Sequence, residues 1–123
     1  MDVVAVRRDT GEKIKVKMDA LERRIGELLN DINSNLYVRA KKFVEANTHH
    51  AKDFEELKDI VKGRGGIVQA PWCGSPECED KVREESGAKI SNMPFDRQDG
   101  AKGKACIYCG KEAKHMANFA KSY

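Results

Sequence analysis

The sequence predicts an α+β fold: a small mixed sheet with helices on one face, clamped by a metal, and preceded by a β-hairpin and a long connecting helix. Three observations predict it. Strand-type runs alternate with short, capped helices from Ile67 onward. One apolar stripe recurs at three- and four-residue steps from Leu21 to Val44. Four cysteines fall into two close pairs, Cys73 with Cys78 and Cys106 with Cys109, with 27 residues between the pairs.

Val3 to Arg8 reads as a strand, and Asp9-Thr10-Gly11-Glu12 as a turn in which Gly11 takes a positive φ. Lys13 to Lys17 alternates, with Ile14 and Val16 on one face. A lone hairpin is marginal in water, and Val-Val-Ala-Val expects cover on both faces. The hairpin therefore reads as the tail of a larger sheet whose earlier strands lie before Met1. The stripe of Leu21, Ile25, Leu28, Leu29, Ile32, Leu36, Ala40, Phe43 and Val44 predicts a helix capped by Asp19 and ended by Asn47 to His50. At roughly 40 Å it is a connector between two bodies.

Asp53 to Lys62 is a second helix, with Asp53 and Glu56 in capping-box spacing and Gly63 to Gly66 stopping it. Ile67 to Trp72 is a buried strand. Ser75-Pro76 opens a third helix and Gly87 closes it. Lys89 to Phe95 is a strand and Asp96 to Lys104 a polar surface loop. Ala105 to Tyr108 and Ala113 to Lys121 read as strands around Cys109-Gly110. Strand, helix and strand over Ile67 to Phe95 form a βαβ unit with parallel strands.

The 123 residues suit one domain or two very small ones, with 40% hydrophobic and 35% charged residues. No run approaches the roughly 20 apolar residues of a membrane span. Met-Asp-Val-Val-Ala-Val-Arg-Arg has no basic head followed by an apolar run, so it is not a signal peptide. The expected compartment is the cytoplasm, where thiols stay reduced. Net charge is +3, too mild to announce a nucleic-acid binder. The excess gathers after Asp96, in Arg97, Lys102, Lys104, Lys111, Lys114 and Lys121.

Two short-spaced cysteine pairs far apart are the usual build of a tetrahedral zinc site. Cys73, Cys78, Cys106 and Cys109 fill all four positions, which predicts a structural ion and no catalytic one. Gly74 and Gly110 let backbone N–H groups turn toward the sulfurs. Cys78 lies in the first turn of the third helix, where the dipole favours thiolate. Lys102, Lys104, Lys111 and Lys114 offset the negative charge of a four-thiolate site. Iron remains open, because four sulfurs accept it too. Disulfides are disfavoured by the compartment. A thioredoxin-like pair is absent, since Trp72-Cys73-Gly74 meets its next cysteine five residues on.

His49 and His50 read as solvated residues at a helix end, and His115 as a packing residue of a strand. Gly63-Arg64-Gly65-Gly66 follows a helix and precedes a strand, the reverse of a dinucleotide loop. No P-loop, nucleophile elbow or Ser-His-Asp set is present, so no catalytic residue is assigned.

Gly-Gly-Ile-Val-Gln-Ala-Pro-Trp-Cys-Gly-Ser-Pro-Glu-Cys-Glu-Asp, then Cys-Ile-Tyr-Cys-Gly-Lys-Glu-Ala-Lys, then Phe-Ala-Lys-Ser-Tyr, resemble the C-terminus of prolyl-tRNA synthetase in its archaeal and eukaryote-like form. Val-Arg-Arg-Asp-Thr-Gly-Glu-Lys resembles the last hairpin of that enzyme's anticodon-binding domain. Asn35-Leu36-Tyr37 to Asn47-Thr48 resembles its connecting helix. The resemblance implies residues 1–17 as the end of a truncated anticodon-binding domain, 18–50 as the connecting helix and 51–123 as the C-terminal zinc-binding domain. It implies zinc on Cys73, Cys78, Cys106 and Cys109, and a contact of Tyr123 with the active site of the full enzyme. The family joins proline to tRNA(Pro) with ATP through a prolyl-adenylate, as a class II synthetase and a homodimer. The catalytic domain is missing here, so the implied partners are the remainder of the synthetase and, through it, tRNA(Pro). The alternative is a free-standing zinc module that binds RNA through its C-terminal bases; a thiol redox protein is a third.

Overall fold

The computed structural model describes residues 1–122, so the role expected for Tyr123 lies outside the described residues. The chain forms two compact units, Met1–Glu45 and Ala46–Tyr123. The α+β class, the mixed sheet, the hairpin and the long helix are all present.

In the first unit, β1 (Asp2–Val6) pairs antiparallel with β2 (Lys13–Lys17), Val3 opposite Val16 and Ala5 opposite Ile14. Gly11, at φ +76°, closes the turn by donating its N–H to the Arg7 carbonyl. Only one face of β1 is covered: Val3 and Ala5 are half-buried, while Val4 and Val6 are 57% and 60% exposed. The other face is left uncovered among the described residues, where β1 pairs with β2 alone and its side chains alternate. Helix α1 (Leu21–Ala46) is entered through a 3-10 turn over Met18–Ala20, which holds Asp19 inside it rather than at the helix cap. Leu28 is the buried residue of its stripe; Leu29, Leu36 and Tyr37 are exposed.

The hairpin is tied to α1 by one polar cluster. Arg7 grips Asp9 with two bonds, Nε to Oδ1 at 3.0 Å and Nη2 to Oδ2 at 2.8 Å. Asn35 on α1 donates its side-chain amide to Asp9 Oδ2 at 2.8 Å.

In the second unit, a four-stranded sheet runs β3-β4-β6-β5, with β3 at Thr48–His50, β4 at Ile67–Trp72, β5 at Ala88–Asn92 and β6 at His115–Lys121. β3 is parallel to β4, and β6 is antiparallel to both β4 and β5. β4 and β5 are therefore parallel, as the βαβ reading requires, but β6 is inserted between them. Residues 48–50 were expected at the end of the long helix. Instead the Asn47 carbonyl accepts the Ile67 N–H at 2.8 Å, which draws the chain into the sheet. His49 and His50 are accordingly strand residues, opposite Val68 and Gln69.

Helix α2 (Phe54–Lys62) is capped by Asp53, whose carboxylate accepts the Glu56 N–H at 2.8 Å. Glu56 reaches back to the Lys52 N–H, also at 2.8 Å. Helix α3 (Pro76–Ser86) starts with proline and stops at Gly87, which is left-handed at φ +78°. Leu57, Ile60 and Val61 of α2 and Val82 of α3 pack with Val68, Ala70, Ala117 and Phe119 of the sheet, forming the main core.

Three sequence readings fail here. Residues 96–104 are not a plain loop: a 3-10 helix spans Phe95–Ala101, and Ala101 is buried with Ala113 and Met116 in a second small core. Gln98 holds it there. Its Oε1 accepts the Met116 N–H at 3.1 Å and its Nε2 donates to the Met116 carbonyl at 3.1 Å, pairing with β6 as a strand would. Nor is Ala105 to Tyr108 a strand; a single bridge joins Ala105 to Glu112. The chain turns instead at residues 107–109, where Gly110 donates to the Cys106 carbonyl at 3.1 Å. β5 also ends at Asn92 rather than at Phe95.

Among the described residues, no helix is long and apolar enough to cross a membrane.

Candidate metal centre

Four side chains from two separate turns converge beside the end of β4. Cys73 follows Trp72 directly, and Cys78 occupies the first turn of α3. The second turn, Cys106 to Cys109, docks on the edge of β4 beyond the end of β3. There Ile107 donates its N–H to the Pro71 carbonyl at 2.8 Å, while on the β6 side Lys114 donates to the Trp72 carbonyl at 2.9 Å. Proline has no N–H for a ladder, so Pro71 suits a position where the neighbouring strand has stopped. Buried Ile107 and half-buried Tyr108 plug this turn into the main core, and the Tyr108 hydroxyl bonds Glu85 at 2.8 Å.

The four sulfur atoms lie within 4.8 Å of one another. Four sulfurs about 2.3 Å from a central zinc stand roughly 3.8 Å apart, so the cluster is close to that spacing. The donor set also fits, since four thiols on two tight turns match the closed coordination of a structural ion. Cys78 and Cys106 are buried, Cys73 is half-buried and Cys109 is exposed. All four residues singled out in the sequence are thus brought together.

The two turns are built alike. Gly74 stands at φ +90° and Gly110 at φ +73°. Each glycine lets the amide that follows point back at a sulfur, the Ser75 N–H at Cys73 and the Lys111 N–H at Cys109. The Lys111 amide lowers the Cys109 thiol to about 7. Burial, joined by the neighbouring thiols of Cys109 and Cys73, pushes the Cys78 thiol up to about 12. Burial likewise raises Cys73. Buried thiols of this kind become thiolates when a cation supplies the opposing charge.

The surroundings brace the first turn. The Trp72 indole N–H donates to the Ser75 carbonyl at 3.1 Å, spanning the loop that carries Cys73. His115 lies against Trp72, with ring centroids 5.8 Å apart, and would sit about van der Waals distance from any Cβ at Gly74. It is a packing residue, as its place in a strand predicted. Lys104, Lys111 and Lys114 are exposed, while the Lys102 ammonium pairs with Asp99 at 3.2 Å. The sequence did not announce the Trp72 brace or the Ile107 dock; a proline inside a strand was the one available sign of an interrupted edge.

Comparison with known proteins gives the family. Residues 54–123 match the family model described as prolyl-tRNA synthetase, C-terminal. The chain belongs to the prolyl-tRNA synthetase family. A proline–tRNA ligase 2 from Bacillus cereus is 47% identical over 121 residues. The proline–tRNA ligase of Clostridium novyi is 43% identical over 121 residues, and that of Thermococcus kodakarensis 41% over 122. Each match covers 98% of this chain and 25% of the relative, so the chain spans about a quarter of the length of these synthetases. The likeness to an archaeal member accords with the form named from the sequence.

Proposed function

We propose that this chain is the C-terminal module of a prolyl-tRNA synthetase and that Cys73, Cys78, Cys106 and Cys109 hold one structural zinc ion in it. The observation that carries the reading is the approach of four sulfurs to within 4.8 Å on two glycine-hinged turns. Zinc would join the end of β4 and the start of α3 to the turn that leads into β6. The energy of binding a structural zinc is folding energy, on the order of 10 kcal/mol in small modules.

In this reading residues 1–17 end an anticodon-binding domain, 18–50 connect, and 51–123 form the zinc-binding domain. Ligation of proline to tRNA(Pro) with ATP belongs to the parent enzyme, a cytoplasmic homodimer. The module contributes support, and Tyr123 reaches the active site only there.

Metal analysis of purified protein tests the assignment. One zinc per chain is expected, without the visible absorption of iron bound by four sulfurs. A chelator at neutral pH is expected to abolish the cooperative melting of the module. Metal-free protein with four titratable thiols and an unchanged melting curve would exclude the zinc role.

A further inference from the structure

Beside β6, the chain carries an apolar tip whose Phe95 ring no described residue covers. Phe95 is 99% exposed and Met93 is 47% exposed, on either side of Pro94. Frayed loops often expose apolar residues, but this tip is anchored. The Pro94 carbonyl receives Gln98 Nε2 at 2.6 Å, and the same Gln98 amide is bonded to the backbone of Met116 on both sides. Phe95 also begins the 3-10 helix whose Ala101 is buried at the other end. The ring is therefore held in water on a fixed base, which pre-organises it for an apolar socket.

We infer that Phe95, flanked by Met93, is a docking knob that inserts into an apolar socket on the part of the synthetase outside this chain. The inference rests on the function proposed above. The occupant follows from length: relatives matched over 98% of this chain are four times as long, so three quarters of such an enzyme lies beyond it. A phenyl ring taken from water into a socket is worth roughly a tenfold to hundredfold shift in a docking equilibrium.

The test exchanges the matching segment of the Bacillus cereus enzyme for the full 123-residue chain and compares Phe95→Ser and Phe95→Leu with the unaltered chimera. Phe95→Ser is expected to speed limited proteolysis of the exchanged segment at least about tenfold, with Phe95→Leu recovering most of the protection. In the 123-residue chain alone, Phe95→Ser should leave the melting midpoint unchanged, because the Phe95 side chain is exposed there. Equal proteolysis of the Phe95→Ser and unaltered chimeras would overturn the inference while leaving the synthetase reading intact. A chimera that charges no tRNA with proline would remove that reading and the inference with it. Sedimentation of the isolated chain as a dimer that Phe95→Ser dissociates would make a second copy the occupant and overturn the inference as well.

Discussion

At the scale of single residues, the four sulfurs are chemically unequal. Cys78 and Cys106 are buried, and a serine at Cys78 would leave a hydroxyl in a buried pocket shaped around a sulfur. Cys109 is exposed and already held low by the Lys111 amide, so a serine there disturbs little besides the ligand set. Either Cys78→Ser or Cys109→Ser is expected to weaken zinc binding by more than about a hundredfold in a competition titration with a chelator. Cys109→Ser should leave the melting of the metal-free chain unchanged, whereas Cys78→Ser should lower it. Trp72 acts one step further out. Trp72→Phe keeps a packed ring but deletes the N–H that spans to Ser75, so a loss of roughly tenfold in zinc affinity is expected. Unchanged affinity in that variant would reduce the indole bond to simple packing.

At the scale of elements, the 3-10 helix over Phe95–Ala101 depends on Gln98. Gln98→Leu would strip partners from the N–H and carbonyl of Met116, a residue only 6% exposed, at a cost of about 2 kcal/mol in a denaturant titration. This element also shows where the sequence was silent. A glycine-rich polar run looks like a loop, and nothing local signals that one glutamine amide will pair with the sheet. The elements that were legible carry their own local causes: Asp53 and Glu56 at the start of α2, Pro76 and Gly87 at the ends of α3, and the stripe that predicts α1. The cysteine cluster was legible because its spacing reflects tight turns rather than tertiary detail. β3 was not legible, since Thr48 to His50 becomes a strand only through pairing with β4, a contact between distant residues. The insertion of β6 between β4 and β5 is likewise a property of topology that no local pattern encodes. Gly66 marks the same seam: at φ +84°, any Cβ there would stand 2.3 Å from the Asn47 carbonyl oxygen. Gly66→Ala is therefore expected to destabilise the sheet by on the order of 3 kcal/mol.

At the scale of the whole molecule, the two compact units draw on different chemistry. The second, Ala46–Tyr123, contains the whole sulfur cluster; the first, Met1–Glu45, contains the Asp9 cluster. A chelator should therefore remove hydrogen-exchange protection from β4 and β6 and spare the amides of α1 between Leu21 and Glu45. The first unit answers to acid instead. The Arg7 guanidinium and the Asn35 amide hold the Asp9 carboxyl well below the usual carboxylate range, and its side chain is only 1% exposed. A depressed acid favours the folded state above its unfolded pKa, near 3.9. That contribution is lost as pH falls from there through the folded value. In metal-free chain, acid titration should thus erode the protection of α1 below about pH 4. Asp9→Asn keeps a polar group but removes the charge, so its α1 protection should start lower at pH 7 and lose most of its dependence on pH in that window. Parallel acid curves for the two proteins would show that the Arg7–Asp9–Asn35 cluster has no share in holding the hairpin to α1.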